Sequence, residues 1–435
     1  MSAQVAQPTL KRAVSRWEIV ALALNDVIGS GVYLLPAAAA ALLGPASVWA
    51  VLLAGFAVLL LVLCFAEAAS HFDEPGSGYL YTREAFGVFI GFEVGWMTWL
   101  ARIASVASLS NGFALALGYL WPAASAGTGR IGVIAGSIAL LTWINVVGVK
   151  SGARTAVTFT IAKIVPLLVF VAAGVFVVEW GRVFPVPAPG TEGLGEATLL
   201  LLFAYAGFEN TAAPAGEFKN PRRDVPFALI TMIIFVTILY TLVQLVALGT
   251  LPGLADAETP LADSARLFLG GWAGLLMTVG AVVSIEGNVS NTMLAGPRYL
   301  YALAVDGFGP RALARVHPRW RTPYIAIVTQ GAVALALAIS GSFVQLALLS
   351  IIARLATYMG TAAAVPFLRR KFPRTEETIV LPGGPVIPIA ALLLCLVFLA
   401  STTRMNLVWG ALWLVVGIPI YLLRRKPEEP AITPA

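Results

Sequence analysis

Four ionisable side chains lie where ionisation is costly. Asp26, Lys163, Glu209 and Glu286 each fall inside a long apolar run. Ionisable groups at membrane depth are expensive, and they are retained where they pair with one another or carry function. A buried lysine sheds its proton readily, which an arginine does not. Lys163, in Thr160-Ile161-Ala162-Lys163-Ile164-Val165-Pro166, is therefore a candidate for proton coupling or for a fixed internal cation; the plainer reading is a structural ion pair or a snorkelling side chain. Its candidate partners are Asp26 and Glu286, and Arg102 or Arg354 could equally neutralise Glu286. Glu209 fits a gating or proton-linked role and a structural hydrogen-bonding role equally well.

Two of these carboxylates flank weak points in a helix. The first apolar run reads Asn25-Asp26-Val27-Ile28-Gly29-Ser30-Gly31-Val32-Tyr33, with Pro36 beyond it. Two glycines weaken a helix, and the serine between them competes for backbone hydrogen bonds. A later run reads Phe203-Ala204-Tyr205-Ala206-Gly207-Phe208-Glu209, with Pro214 following. Unwinding at either place frees amides and carbonyls, which a bilayer tolerates only where they line a cavity or are buried in protein. Corresponding interruptions in two halves of a chain point to a transport site between the halves. The N-terminus of a half-helix offers N–H groups to a carboxylate, and the C-terminus of another offers carbonyls to an ammonium. One zwitterion satisfies both, which favours an amino acid over a sugar or an inorganic ion.

The elements that would hold these groups are membrane spans. The chain of 435 residues is 59% hydrophobic and 11% charged, and its mean hydropathy is +0.87. Soluble domains carry roughly 25% charged residues. Runs of about 20 apolar residues read as spans, and twelve are expected near 17–43, 46–70, 86–119, 131–149, 155–178, 196–216, 225–250, 272–301, 323–341, 344–367, 386–403 and 405–423. The third is long and contains Glu93 and Arg102, so it is expected to be tilted or partly buried. Basic residues crowd every second connection: Lys11, Arg12 and Arg16 at the start, Lys219, Arg222 and Arg223 midway, Arg369 to Lys371 and Arg424 to Lys426 late. The intervening connections hold only Arg130, Arg182, Arg266 and Arg404. That bias puts both termini in the cytoplasm. It also assigns the net charge of +6 to topology and anionic lipid rather than to nucleic acid. No connection is long enough for a soluble domain, and no cleavable signal is evident.

The order of the motifs carries a family resemblance. Ile28-Gly29-Ser30-Gly31-Val32-Tyr33-Leu34-Leu35-Pro36 resembles the first-helix motif of the amino acid–polyamine–organocation superfamily. Glu67 with Pro75-Gly76-Ser77-Gly78-Tyr79-Leu80-Tyr81 resembles the segment after its second helix, and Phe203 to Glu209 its sixth-helix motif. Glu217 to Pro226, and Asn291 to Arg298 followed by Tyr301, Asp306 and Gly307, are similar to later motifs. The likeness runs over roughly residues 16–325. It implies an all-α membrane protein of the leucine-transporter type: twelve transmembrane helices, two inverted five-helix repeats plus two additional helices, with helices 1 and 6 discontinuous. The segments become a cytoplasmic start 1–16, a first repeat 17–178, a second repeat 196–367, helices 11 and 12 at 386–423, and a cytoplasmic tail 424–435.

The resemblance also implies roles. Backbone at Gly29, Ser30 and Gly31 would hold a substrate carboxylate. Carbonyls of Val27 or Ile28, and of Ala206 beside Gly207, would receive its amino group. Phe203 and Phe208 match aromatic gates, with Glu209 beside them, although both rings could simply be packing. Some relatives carry a lysine at the position of Lys163 in place of a sodium site. The expected function is thus sodium-independent amino acid transport across the cell inner membrane, by proton-coupled symport or by exchange. Asp26 and Glu209 keep a polyamine or other organic amine open as cargo. Cys64 and Cys395 lie in apolar runs and His71 and His317 in polar connections, so no cofactor or metal is expected. HExxH, GxSxG in a suitable loop and Walker motifs are lacking, which argues against an enzyme and an ATP-driven pump. A sensor or channel of the same fold is the remaining alternative. The expected partners are the solute, lipid and, for a coupled mechanism, a proton; the sequence sets no oligomeric state.

Overall fold

A computed structural model of the chain describes residues 14–73, 77–147, 153–189, 191–212, 215 and 218–424. The basic residues Lys11, Arg12, Arg425 and Lys426, and the motif positions Pro75, Gly76, Pro214 and Glu217, lie outside the described residues.

The helices are α1 (Arg16–Val27), α2 (Ser30–Leu43), α3 (Ser47–Ser70), α4 (Ser77–Phe86), α5 (Val88–Gly118), α6 (Gly127–Val147), α7 (Ala153–Gly174), α8 (Trp180–Val183), α9 (Thr191–Tyr205), α10 (Pro221–Thr250), α11 (Pro260–Leu269), α12 (Gly271–Val305), α13 (Tyr324–Ser340), α14 (Phe343–Lys371), α15 (Val386–Ser401) and α16 (Arg404–Leu422). Among the described residues the only β pairing is an isolated bridge between Val14 and Phe218. Among the described residues, seven helical stretches are long and apolar enough to cross a membrane, the first running from Ser30 to Ser70 through a 3-10 turn at Gly44–Ala46. Thr160–Gly174, Tyr324–Ser340 and Val386–Ser401 are shorter apolar helices. Large apolar side chains such as Trp143, Ile238, Leu393 and Val408 are exposed on the outside of the bundle, where a lipid solvent accommodates them.

Local sequence explains several boundaries. Ser15 and Glu18 form a capping box ahead of α1, and Ser342 and Gln345 form another ahead of α14; each satisfies N–H groups that the first turn leaves free. Pro221 and Pro260 open α10 and α11, where a missing N–H costs nothing. Two glycines act as matched corners. Gly87 (φ 89°, ψ −177°) joins the 10-residue α4 to α5, and Gly270 (φ 86°, ψ −178°) joins the 10-residue α11 to α12. Only glycine adopts this backbone conformation cheaply.

The core is built by long helices crossing in pairs: α3 on α10, α5 on α12 and α14, and α2 on α9, while α1 lies against α7 and α10. Glu93 and Arg102 on α5 are both buried. Segments 77–86 and 260–269, read as connections in the sequence, are helical; each is too short and too polar to resemble a span. His71 differs from its expected loop setting, because it is buried at the end of α3 with its ring against Phe372.

Candidate functional site

The centre of the bundle is where two helices stop. α1 closes with the Ile28 N–H donating to the Leu24 carbonyl (2.9 Å), and the chain then runs extended through Ile28 and Gly29 before α2 starts at Ser30. Helix ends leave their last carbonyls and first amides without partners. Here side chains from three other helices fill the carbonyl positions. Lys163 on α7 is fully buried, and its ammonium donates to the carbonyls of Asn25 (2.9 Å) and Ile28 (3.2 Å). Ser284 on α12 also donates to Ile28 (3.2 Å), Asn288 donates to the Asp26 carbonyl (3.1 Å), and the Tyr240 hydroxyl on α10 reaches Val27 (3.4 Å). A cation at a helix C-terminus is favourable, so Lys163 acts as a side-chain cap on α1. Tyr33 of α2 donates back to the Lys163 carbonyl (3.0 Å), which ties the far side of the break to α7.

α9 stops at Tyr205. The Ala206 N–H donates to Phe203 (3.2 Å), Gly207 adopts φ 126°, and a 3-10 turn covers Phe208–Asn210. The two stops touch. A Cβ on Gly207 would lie 2.4 Å from the Asp26 carbonyl oxygen, and one on Gly31 would lie 2.5 Å from the Ala204 Cα. A Cβ on Gly29 would meet the Asn288 amide at 2.6 Å. Gly207 and Gly31 are thus required by the approach of backbone to backbone, and Gly29 by the Asn288 side chain.

Between the stops lies a cavity of about 20 Å³ lined by Val27, Gly29, Ser30, Gly31, Phe203 and Ala206, joined by Ser105 and Leu109 of α5, Asn288 of α12 and Arg354 of α14. A space of that size takes about one water. The first amides of α2 and the C-terminal end of α9 border the same space. The Ser30 hydroxyl is fully buried and has no hydrogen-bond partner among the described residues. A second cavity of about 300 Å³, bordered by Asn111, Leu115, Arg130 and residues 339–343, lies beyond Phe343. The Phe343 ring packs edge-on against Phe203, with centroids 6.0 Å apart.

The remaining sequence-predicted residues sit around this pocket rather than in it. Ile28 is occupied by two donors, which fills both carbonyl lone pairs and leaves Val27 as the acceptor with spare capacity at the first stop. Phe208 stacks on Tyr358 (5.1 Å) and meets Phe65 edge-on, away from the cavity. Gly207 donates to the Glu209 carboxylate (3.0 Å). Glu209 forms a buried ion pair with Arg354 and accepts from the Tyr358 hydroxyl (3.2 Å). Asp26 accepts from the Asn291 side chain. Glu286 faces α6, where Ser137 donates to it (2.9 and 3.0 Å), and it forms no ion pair with Lys163. The sequence offered no direct sign of Ser105 or Leu109. Arg354 stood out only as a basic residue inside a span, and its pairing with Glu209 joins helices far apart in the chain.

This arrangement, a helical bundle with an apolar exterior and a small polar pocket between two helix stops, is that of a multi-pass membrane protein. The sequence profile described as amino acid permease matches residues 14–420, and the chain belongs to that family. It is 29% identical to the branched-chain amino acid permease BcaP of Bacillus subtilis (strain 168), covering 99% of this chain and 96% of the relative. It is 29% identical to the serine/threonine exchanger SteT of the same organism, over 96% and 98% of the two chains. It is 28% identical to a methylthioribose transporter, again from Bacillus subtilis (strain 168), over 99% and 96%. These relatives are transporters rather than enzymes, and the cargoes in their names differ widely.

Proposed function

We propose that this protein is a secondary transporter of amino acids working by alternating access, with α1–α2 and α9 through the turn at Phe208–Asn210 acting as two discontinuous spans. The observation that carries the reading is the buried, unpartnered Ser30 hydroxyl at the start of α2, facing the end of α9 across one small cavity. A carboxylate there would be met by the Ser30 hydroxyl and the first amides of α2. An ammonium would be met by the carbonyls of Val27 and Ala206. The cavity is too small for an amino acid, so binding requires Phe203 and its neighbours to move, and the Phe203–Phe343 contact stands where the larger cavity would open onto the site.

The twelve-span, inverted-repeat architecture is supported by the order of elements. Each half runs broken helix, long helix, 10-residue helix, glycine corner, long helix, then two more helices, and α3–α10 and α5–α12 are equivalent partners packed together. On this reading 17–178 and 196–367 form the repeats, with the second extending to Lys371, and 386–423 adds two helices. The distribution of basic residues supports a cytoplasmic location for both ends of the chain, 1–16 and 424–435, with the protein in the cell inner membrane. Lys163 takes the part that a sodium ion would play at the end of α1, because its ammonium already occupies two of the carbonyls such an ion would need. Transport is therefore sodium-independent, either exchange or proton-coupled symport, with Lys163, Asp26 and Glu286 as the groups for a proton.

The test is counterflow in proteoliposomes with a panel of amino acids and amines, with and without sodium and a pH gradient. Saturable exchange of an amino acid, unchanged when choline replaces sodium, is the expected result. Sodium-dependent exchange would remove the role given to Lys163, and exchange of polyamines alone would select the organic-amine alternative.

A further inference from the structure

Arg102 is a buried charge that the site described above does not use. The residue is 2% exposed, yet its Nε and Nη2 atoms have no hydrogen-bond partner and it forms no ion pair among the described residues; its guanidinium lies 5.8 Å from the centre of the Tyr299 ring. A buried guanidinium without an anion is costly, so its retention calls for a partner. Arg102 sits one turn from Ser105, which lines the central cavity, and the two share a face of α5. Ser105 in turn accepts from Arg354 (2.8 Å).

The charges around the cavity do not balance. Asp26 and Glu209 stand against Lys163, Arg354 and Arg102; Asp26 feels all three cations, and Arg354 is already paired with Glu209. The other buried carboxylates do not face this cluster. Glu93 is nine residues, two and a half turns, away on the opposite face of α5, against Gly417, and Glu286 is held by Ser137. The larger cavity beyond Phe343 repeats the sign, since Arg130 borders it and no acidic residue does.

We infer that the cargo is a dicarboxylic amino acid, whose side-chain carboxylate is received by Arg102 below the pocket while its α-carboxylate and α-ammonium lie between the two helix stops. This rests on the transport reading above and specifies its substrate. A net negative zwitterion supplies the missing charge. A cationic amino acid or polyamine would add to the excess, and like charges at close range oppose binding. The positive rim at Arg130 would raise the local concentration of an anionic solute at the entrance.

The experiment is counterflow with the purified chain in proteoliposomes, using aspartate, glutamate, glutamine, leucine and arginine as competing solutes. Wild type is expected to exchange aspartate or glutamate and to prefer glutamate to its neutral isostere glutamine. Arg102→Gln should reduce that preference by about tenfold to a hundredfold, the range of a hydrogen bond to a charged group, whereas Arg102→Lys retains it. Exchange of leucine, glutamine or arginine without the two acids would overturn the inference and leave the transport reading standing. No saturable exchange with any solute would instead remove the transport reading itself. A preference for glutamate unchanged in Arg102→Gln would show that Arg102 does not receive the side chain, and the wild-type panel decides the substrate class even if that variant fails to fold.

Discussion

Replacing Lys163 by Met keeps most of the apolar stem and removes the ammonium that caps α1. Two charge-assisted hydrogen bonds disappear, each worth about 1.5–3 kcal/mol. Against that loss stands the desolvation of a buried cation, several kcal/mol, which the variant no longer carries. Ile28 keeps Ser284 as a donor, but the Asn25 carbonyl loses the Lys163 ammonium, at about 1–3 kcal/mol for a buried acceptor. The net loss of stability is therefore about 1–3 kcal/mol, less than the 5–15 kcal/mol that typically separates folded from unfolded chains. The effect on transport is expected to be larger than the effect on folding. If Lys163 holds the end of α1 in one of two alternating conformations, loss of one such bond shifts their ratio by about tenfold to a hundredfold. Counterflow in proteoliposomes, paired with thermal unfolding in detergent, separates the two effects. Lys163→Met should unfold only a few degrees below wild type while exchange falls by at least tenfold, and Lys163→Ala should abolish uptake at normal expression. Wild-type exchange by either variant would refute the reasoning.

Three further outcomes follow from the geometry. Gly207→Ala forces a Cβ against the Asp26 carbonyl at a backbone angle that disfavours any side chain; strain and overpacking together cost about 2–6 kcal/mol, to be read as a loss of folded protein in a thermal melt, while Gly132→Ala, with open space around it, should change little. Glu209→Gln leaves Arg354 buried without its counter-ion and should cost about 3–5 kcal/mol; adding Arg354→Met should recover part of that loss, and strict additivity in the double-mutant cycle would show that the pair is not coupled. Glu67 is fully buried and joins α3 to Arg369 and to the Leu381 amide (3.0 Å), so Glu67→Ala should lower the melting temperature by several degrees and speed proteolysis in the segment 372–385.

Much of the scaffold was legible in the sequence because spans are long, apolar and separated by polar connections. The run read as 386–403 is observed as Val386–Ser401, and that read as 323–341 as Tyr324–Ser340. The stops at Ile28–Gly29 and Ala206–Gly207 were announced by glycine beside polar or aromatic residues. Partnerships were not legible. Lys163 could have met Asp26 or Glu286, and it instead donates to backbone carbonyls, which no side-chain pattern encodes. Which face of α5 turns inward is fixed by packing against α12 and α14, so Ser105, Leu109 and Arg102 acquire their meaning only once those helices are in place. Likewise α4 and α11 are short amphipathic helices, and their polarity hides them among connections.

The central claim is that main-chain groups at two helix stops recognise the two charges of one solute. Backbone cannot be mutated away, but the solute can be altered. Apparent affinities measured by competition in counterflow, for the exchanged amino acid, its α-carboxyl methyl ester and its deaminated analogue, test this most directly. Loss of either charge is expected to weaken competition by at least about a hundredfold, as when a site built for a polar group meets a solute without it. Competition by the ester and the deaminated compound at the strength of the parent amino acid would contradict it.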